Sequence, residues 1–218
     1  MRHGLFVTGT DTGVGKTLVA CALLHALAKQ GLRVVGMKPV AAGRESDGSF
    51  LDVESLVAAS NVSAPREWIN PYAFEPPIAP HIAAARAGVR IEHAVILSAW
   101  RELSGLVDAV VVEGAGGFLV PLDEGESMAG LARELSLPVV LVVGMRLGCL
   151  NHALLTAEAI AGRGLTFAGW VANRTDPAME AFDENLSTLR ARLPAPLLGV
   201  IPHLQPPFAA EAARYLVL

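Results

Sequence analysis

The stretch GTDTGVGKT, Gly9 to Thr17, joins a short apolar run to a long segment with apolar residues at helical spacing. A glycine-rich turn ending in Gly-Lys-Thr between a strand and a helix is typical of a phosphate-binding loop, because backbone N–H groups then point at the anion. Here five residues separate Gly9 from Gly15, one more than the usual four. Gly13 and Gly15 permit unusual backbone angles, so the longer loop can still form.

Short β-rich runs alternate with amphipathic segments along the rest of the chain. The segment GKTLVACALLHALAKQG keeps helical spacing and ends at Gly31, a natural helix stop, and NHALLTAEAIAGRG has the same pattern. Apolar strands alternating with helices predict an α/β fold, a parallel sheet with helices on both faces of the P-loop NTPase type. One domain is expected over residues 1–218. The predicted strands are LFVTG, LRVVGMKPV, DAVVVEG, PVVLVVG, FAGWVAN and PLLGVIP.

Composition excludes several classes of protein. Apolar residues make up 52% of the 218 residues, but no apolar run approaches the ~20 residues of a membrane span. The net charge is −4 and there is no basic run, so neither nucleic acid nor a membrane is an expected partner. Two cysteines are too few for a disulfide framework or a zinc site. The first residues, MRHGLFVTG, lack a signal peptide's apolar core, so a cytoplasmic protein is expected.

Charged residues are expected where ligands collect, at the carboxyl ends of the parallel strands. Lys16 is expected to reach the outer phosphates of a nucleotide, and Thr17 to bind Mg²⁺. Glu113 ends the strand DAVVVEG and is a candidate second anchor for the metal. Lys38 ends another strand, where an active-site role is favoured over a solvated strand end. Asp52 is either a further metal or substrate ligand or an ordinary helix N-cap.

Several motifs together resemble those of bacterial dethiobiotin synthetases, in order and spacing and from end to end. They are GTDTGVGKT, MKPVAAG, VEGAGG, LGCLNHALLTA, AGWVAN and PAPLLGVIP. The resemblance implies closure of a ureido ring, with 7,8-diaminopelargonate, CO2 or bicarbonate, and ATP as co-substrates and Mg²⁺ as cofactor. A carbamate and then a carbamic–phosphoric anhydride are the implied intermediates. It also implies a homodimer with active sites near the interface.

The same resemblance implies a role for individual residues. The implied catalytic residues are Lys38, Lys16 and Thr12. The implied metal ligands are Thr17, Asp52 and Glu113. The implied nucleotide-binding residues are Thr10, Asp11, Thr12, Gly13, Val14, Gly15, Lys16, Thr17, Asn173, Pro202 and His203. The implied substrate-binding residues are Lys38, Ala42, Glu113, Gly116, Gly148, Leu150 and Asn151.

Some positions depart from the resembled family or leave alternatives open. Ala42 stands where some relatives carry a hydroxyl, so one substrate hydrogen bond is either lost or supplied by water. Gly13 replaces an acidic residue of some relatives. Asn173 either binds the base or caps a strand end, and NRTD resembles the base-reading motif of GTPases, which leaves the nucleotide preference open. Cys149, directly before a predicted helix, is either a reactive thiol or, preferably, a buried inert one.

Two other classes of protein share parts of this pattern. A partition or membrane-positioning ATPase typically has a second lysine early in the loop, where this chain has Thr10. Such a switch also needs a membrane or partner surface, and the tail PPFAAEAARYLVL is not a basic amphipathic helix. An amidoligase of the cobyrinate type needs a glutamine-hydrolysing domain with a cysteine nucleophile, for which 218 residues leave too little length.

Overall fold

The computed structural model describes residues 3–218, which form strands and helices in close alternation. The strands are β1 (His3–Gly9), β2 (Val34–Met37), β3 (Val40–Ala42), β4 (Tyr72–Phe74), β5 (Ala109–Glu113), β6 (Val139–Gly144), β7 (Phe167–Asn173) and β8 (Leu197–Ile201). The helices are α1 (Lys16–Lys29), α2 (Leu51–Ala59), α3 (Arg66–Ile69), α4 (Pro80–Arg86), α5 (His93–Leu106), α6 (Met128–Leu135), α7 (Cys149–Ala161), α8 (Phe182–Arg192) and α9 (Ala209–Ala212). A short 3-10 turn, Ala213–Tyr215, follows α9.

The central sheet has six strands in the order β2-β5-β1-β6-β7-β8, and every pair is parallel. Each of these six strands overlaps one of the runs predicted from the sequence, so the predicted parallel α/β fold is confirmed, whereas β4 of the separate pair was not predicted. Each residue of β5 and β6 is buried, as expected for strands covered on both faces. Because all strands run the same way, their carboxyl ends meet at one edge of the sheet.

Helices cover both faces of the sheet, as predicted. On one face, Leu5 and Val7 of β1 pack with the apolar side chains of α1 and α2. Phe6, between them in the chain, points to the opposite face and packs with α5 and α6. The same opposite face carries a third cluster beside α7 and α8, in which Trp170 is fully buried. The alternation along β1 therefore anchors two helical layers to one strand.

One predicted strand is split in the structure. The run LRVVGMKPV was expected to form one strand, but β2 ends at Met37 and a separate parallel pair, β3 and β4, begins at Val40. Pro39 lies at the break and has no N–H to donate to a sheet ladder. The side-chain amide of Asn70 donates to the carbonyl oxygens of Lys38 at 2.7 Å and Tyr72 at 2.9 Å, which joins the new pair to the end of β2.

Two helix starts also differ from the sequence-based interpretation. The N-cap of α2 is Phe50, so Asp52 lies inside the first turn and is not the N-cap. Helix α7 begins at Cys149 itself, and Cys149 is buried there. Burial raises the pKa of its thiol, in agreement with the inert rather than the reactive interpretation. Within residues 3–218, no helix combines the length and apolarity needed to cross a membrane.

Candidate active site at the carboxyl ends of β1, β2 and β5

A cleft of about 640 Å³ opens at the carboxyl ends of β1, β2 and β5. Its floor is the loop between β1 and α1, and its walls come from the segments after β2, β4 and β5. The sequence-predicted residues that line it are Thr12, Gly13, Gly15, Lys16, Thr17, Lys38, Ala42, Asp52, Glu113 and Gly116. The predicted metal and catalytic residues are therefore brought together.

The shape of the phosphate-binding loop depends on glycine at position 15. Gly15 has φ of 88°, and an added Cβ would lie 2.2 Å from Nδ2 of Asn173. That Nδ2 donates a hydrogen bond of 2.9 Å to the carbonyl oxygen of Val14. Asn173, the last residue of β7, thus fixes the loop from a strand two positions away in the sheet. Any side chain at position 15 would break this contact.

Lys16 begins α1 and is buried in the floor of the cleft. Its Nζ donates to the carbonyl oxygen of Asp11 at 2.9 Å, within the loop itself. Burial, and then the positive charge of nearby Lys38, lower the pKa of Lys16 to about 8. Among residues 3–218, no carboxylate is in direct contact with this ammonium group, so an incoming anion is well placed to provide the compensating charge.

Lys38 joins the two acids of the opposite wall. Its Nζ lies 2.6 Å from Oε1 of Glu113 and 2.8 Å from Oδ2 of Asp52. Burial alone would lower the pKa of Lys38, but the two carboxylates outweigh that effect and raise it. Burial likewise disfavours the charged form of Asp52, whereas Lys38 stabilises it and lowers the pKa. Lys38 thus stays charged at a pH where Lys16 begins to lose its proton.

Three oxygen-bearing side chains meet beside these lysines. The hydroxyl of Thr17 lies 2.9 Å from Oε1 of Glu113 and 3.1 Å from Oδ1 of Asp52. One hydroxyl hydrogen can serve only one of these acceptors at a time. Oε2 of Glu113 is buried and has no hydrogen-bond partner in the described part of the chain, and burial raises the pKa of this carboxyl. A bound cation would interact both with the carboxylate that the Thr17 hydroxyl does not serve and with the unpartnered Oε2. Hydroxyl and carboxylate oxygens are ligands that suit Mg²⁺. Thr17, Asp52 and Glu113 therefore fit the expected metal.

The residues predicted to contact the nucleotide base lie outside the cleft, on the other half of the strand-end edge. Asn173 ends β7, and Pro202 and His203 directly follow β8. Nδ1 of His203 lies 3.3 Å from the carbonyl oxygen of Arg174, so the two strand ends are in contact. The amide nitrogen of Asn173 is already used by the loop. Its base contact remains a prediction.

The residues predicted to bind the far end of the substrate also lie away from the cleft of their own chain. Gly148, Leu150 and Asn151 form the turn into α7, and Gly148 has φ of 94°. One turn further along α7, His152 and Thr156 line a second hollow of about 440 Å³. Thr10 and Asp11 line its other side, so these loop residues face this hollow.

An ion pair links the phosphate-binding loop to the turn before α7. Nη2 of Arg146 lies 2.6 Å from Oδ2 of Asp11, with both side chains about half exposed. Oδ1 of Asp11 accepts the N–H of Thr12 at 2.7 Å. The sequence-based interpretation missed this contact because 135 residues separate the partners.

Other missed residues shape the cleft. Asn70 holds the backbone of Lys38, and the segment Pro77 to Pro80 forms an apolar wall together with Val40 and Val120. The prolines were the one feature of the sequence that could have indicated this wall, since proline restricts the backbone of a connecting segment to a defined conformation. Ala42 lies in the same wall and presents a methyl group where a hydroxyl would have offered a hydrogen bond.

Known proteins resemble this chain over nearly its whole length. A protein-family model described as an AAA domain matches residues 3–207. The ATP-dependent dethiobiotin synthetase BioD of Nitrosospira multiformis is 62% identical over 205 residues, covering 94% of this chain and 90% of that protein. The enzyme of the same name from Aromatoleum aromaticum is 56% identical over 216 residues, covering 98% and 96%.

Among solved structures, the fold resembles the septum site-determining protein MinD of Pyrococcus horikoshii in complex with Mg-ADP. The TM-score is 0.62 at 15% identity, with 97% of this chain and 86% of that chain covered. The signal recognition particle receptor FtsY of Elizabethkingia anophelis matches with a TM-score of 0.55 at 16% identity, covering 98% and 65%. At such identities the likeness concerns the P-loop fold alone. The sequence identities are decisive: this chain belongs to the family of ATP-dependent dethiobiotin synthetases.

Proposed function

We propose that the protein closes a ureido ring, converting 7,8-diaminopelargonate, CO2 and ATP to dethiobiotin, ADP and phosphate in a Mg²⁺-dependent reaction. The observation that carries this proposal is the convergence of Lys16 and Lys38 with three oxygen ligands in one cleft. Membership of the dethiobiotin synthetase family supports the choice of substrates. A cytoplasmic enzyme of biotin synthesis is the corresponding cellular role.

The first step adds CO2 to one amine of the substrate. The amine lone pair forms the new C–N bond, one amine proton leaves, and a carbamate anion results. Lys38 is in contact with both acids, and its raised pKa keeps it positively charged. Its charge stabilises the carbamate, and Thr12, at the mouth of the cleft, is available for a hydrogen bond to it.

The second step transfers the γ-phosphoryl group of ATP to a carbamate oxygen. A P–O bond forms to the carbamate while the P–O bond to ADP breaks, which gives a carbamic–phosphoric anhydride. Both reactants are anions, so positive charge must be concentrated between them. Lys16 supplies it from the loop and Lys38 from the opposite wall. When bound by Thr17, Asp52 and Glu113, Mg²⁺ contributes further charge neutralisation on the phosphates.

The last step closes the ring. The second amine attacks the carbonyl carbon of the anhydride, phosphate leaves with its bonding pair, and the amine loses a proton. Orientation of the two amines accounts for most of the advantage over the reaction in water. The apolar wall from Pro77 to Pro80, with Val40 and Ala42, suits the hydrocarbon part of the substrate and restricts its motion.

We also propose a homodimer in which the second subunit binds the carboxylate tail of the substrate. Gly148, Leu150 and Asn151 do not line the cleft of their own chain, so a tail reaching from that cleft needs another copy of this turn. Leu147 is 97% exposed beside them, and Leu119 and Leu155 expose more apolar surface around the second hollow. A partner subunit covering these leucines would bury that surface.

A mixing experiment tests the shared site. One parent carries Lys16→Ala, and the other carries Gly148→Val with Asn151→Ala, which distorts the turn because Gly148 has a positive φ. With tail binding in trans, each mixed dimer has one site with both defects and one with neither. Random exchange makes about half of the dimers mixed, so activity recovers to roughly a quarter of wild type. No recovery after confirmed subunit exchange would place the tail in cis.

The decisive test of the reaction is ATP turnover by the purified protein. We expect ADP release that requires both 7,8-diaminopelargonate and CO2, with dethiobiotin formed in equal amount by mass spectrometry. A switch-type ATPase would instead hydrolyse ATP without either substrate and respond to a protein or membrane partner. Substrate-independent hydrolysis with no dethiobiotin would therefore contradict the proposal. Comparing ATP, GTP and CTP in the same assay decides the nucleotide preference.

A further inference from the structure

A second group of metal-binding side chains lies outside the cleft, between α5 and α6. His93 begins α5, Glu126 precedes α6, and Glu134 lies near the end of α6. Nδ1 of His93 is 2.9 Å from Oε1 of Glu134 and 3.6 Å from Oε2 of Glu126. The three ligand atoms all lie within 4.8 Å of one another. His93 is more than nine-tenths buried, so its ring is held in this position.

Helix α6 leaves space for the side chains of His93 and Glu126 at Gly130. A Cβ at that position would lie 3.0 Å from Oε2 of Glu126 and 3.4 Å from Cε1 of His93. Glycine is disfavoured inside a helix compared with alanine. Here its missing side chain lets the imidazole and the carboxylate approach the same face of α6.

The cluster carries uncompensated negative charge. Within residues 3–218, neither Glu126 nor Glu134 forms an ion pair with a lysine or arginine, and both carboxylates turn to the same imidazole nitrogen. A single N–H at Nδ1 can serve one carboxylate oxygen well, so Glu126, at 3.6 Å and about half exposed, has solvent as its remaining donor. A cation among the three groups would satisfy both.

We propose that His93, Glu126 and Glu134 form a binding site for a divalent transition-metal ion of the zinc type. One imidazole nitrogen and two carboxylate oxygens suit Zn²⁺, whereas Mg²⁺ prefers an all-oxygen set. Three protein ligands leave an open position for water, and Nε2 of His93 is buried without a hydrogen-bond acceptor that would orient the ring. The ion is therefore exchangeable, and held less tightly than in a four-ligand structural site.

The site would stabilise one wall of the cleft. The N–H of Leu122 donates to the carbonyl oxygen of Glu126 at 2.8 Å, and the N–H of Met128 to that of Val120 at 2.9 Å. Val120 in turn lines the cleft and lies against Gly116. A metal ion bound by Glu126 together with His93 and Glu134 would thus connect two helices, α5 and α6, to the segment that contains Val120.

Zinc binding is tested on the full-length protein by equilibrium dialysis and by thermal unfolding with increasing ZnCl2. The protein carries Asp52→Asn, Glu113→Gln and Lys38→Met, which removes the carboxylates of the cleft as competing ligands and leaves no unpaired lysine in their place. We expect one bound ion per chain and, at about 100-fold excess over Kd, a rise in Tm of roughly 5–10 °C. This readout does not depend on the proposed reaction.

Glu126→Gln in that background is the deciding variant, because its side chain is half exposed and its loss should not disturb the fold. We expect at least a tenfold weaker affinity for Zn²⁺, and the same for His93→Asn. Glu124→Gln, an exposed acid on the same segment, is the matched control and should bind as before. Absence of saturable binding, or binding unchanged by Glu126→Gln, would overturn the proposal and leave a simple His–carboxylate contact.

Discussion

The two halves of the strand-end edge differ in what they place there. On the side of β2, β5 and β1, Lys38 and Glu113 form a buried ion pair that the half-exposed Asp52 extends, beside Thr17. On the side of β6, β7 and β8, the edge carries the amide of Asn173 and the Pro202-His203 turn, and the nearest contact is a hydrogen bond to the loop. Buried charge is concentrated in the first half. The second half carries the half-exposed Arg146, which pairs with Asp11, and fixes the shape of the loop through Asn173.

This difference shows how one loop can serve both halves. The phosphate-binding loop lies over β1, between them, and receives Asn173 from one side while presenting Lys16 to the other. The half with the buried charges must change its electrostatic balance when anions bind, whereas the other half need only keep the loop in place. Substitutions in the two halves should therefore differ in the size and the kind of their effects.

The largest effect is expected for Lys16→Ala. Loss of a preorganised donor to the transferred phosphoryl group should reduce kcat/KM by about 100-fold or more. Lys16 contacts a carbonyl oxygen rather than a carboxylate, so the unfolding midpoint should hardly change. Lys38→Ala would in contrast leave Glu113 and Asp52 unpaired and lower the midpoint. Near-normal turnover by folded Lys16→Ala would disprove the assigned role of the loop.

The metal ligands are tested by Glu113→Gln, which removes charge and keeps shape. We expect the Mg²⁺ concentration for half-maximal activity to rise by at least about tenfold, with a smaller change in substrate KM. The control is Glu102→Gln, an exposed acid on α5 away from the cleft. If the Mg²⁺ titration of Glu113→Gln were unchanged, Glu113 would not be a metal ligand, and its role would be limited to the ion pair with Lys38.

The pH dependence of ATP binding distinguishes the two lysines. Free Lys16, with a pKa of about 8, is protonated below that pH and neutral above it. Binding of the phosphates favours the protonated form, so above pH 8 the affinity should fall by up to roughly tenfold per pH unit. Lys38 stays charged because its pKa is raised. Titration calorimetry between pH 7 and 9.5 measures this fall, and Lys16→Ala should not show it.

A moderate effect is expected for Asn173→Ala, at the end of β7. The loop loses one buried hydrogen bond at Val14, which should weaken ATP binding by roughly fivefold. If Asn173 also contacts the base, the preference among ATP, GTP and CTP should narrow. Equal losses for all three nucleotides would limit Asn173 to supporting the loop.

The smallest effect is expected for Arg146→Ala. The Arg146–Asp11 pair is about half exposed, and such pairs contribute little, so ATP affinity should change by roughly twofold. Titration of ATP against this variant and against Asp11→Asn measures the effect. A loss of ATP affinity above tenfold in both variants would show that the turn before α7 and the phosphate-binding loop act as one unit. The contrast drawn between the two halves of the edge would then be wrong.

The sequence predicted the features that depend on local spacing. The Gly-Lys-Thr motif located Lys16 and Thr17, and the apolar runs located the six strands of the sheet. Glu113 and Lys38 could then be assigned because residues that end parallel strands meet at one edge. Cys149 was expected to be inert because the sequence shows no partner base for it, and its burial in the structure agrees with that expectation.

Contacts between distant segments were not predictable in this way. Asp52 could have been a helix cap, and only packing of α2 against the sheet brings it within 2.8 Å of Lys38. The break after Met37 and the role of Asn70 depend on the pairing of β3 with β4. These strands are too short to show a recognisable alternation of apolar and polar residues in the sequence. No local pattern records such partners.

By itself, then, the sequence determined the fold class, the phosphate-binding loop and the identity of the charged residues, because backbone angles, periodicity and side-chain chemistry are local properties. Only the tertiary structure decided which charges are paired. Lys38 meets two carboxylates and Lys16 meets a carbonyl oxygen, so their pKa values move in opposite directions. The physical reason is that burial and Coulomb energy depend on distances through space, which chain spacing does not fix.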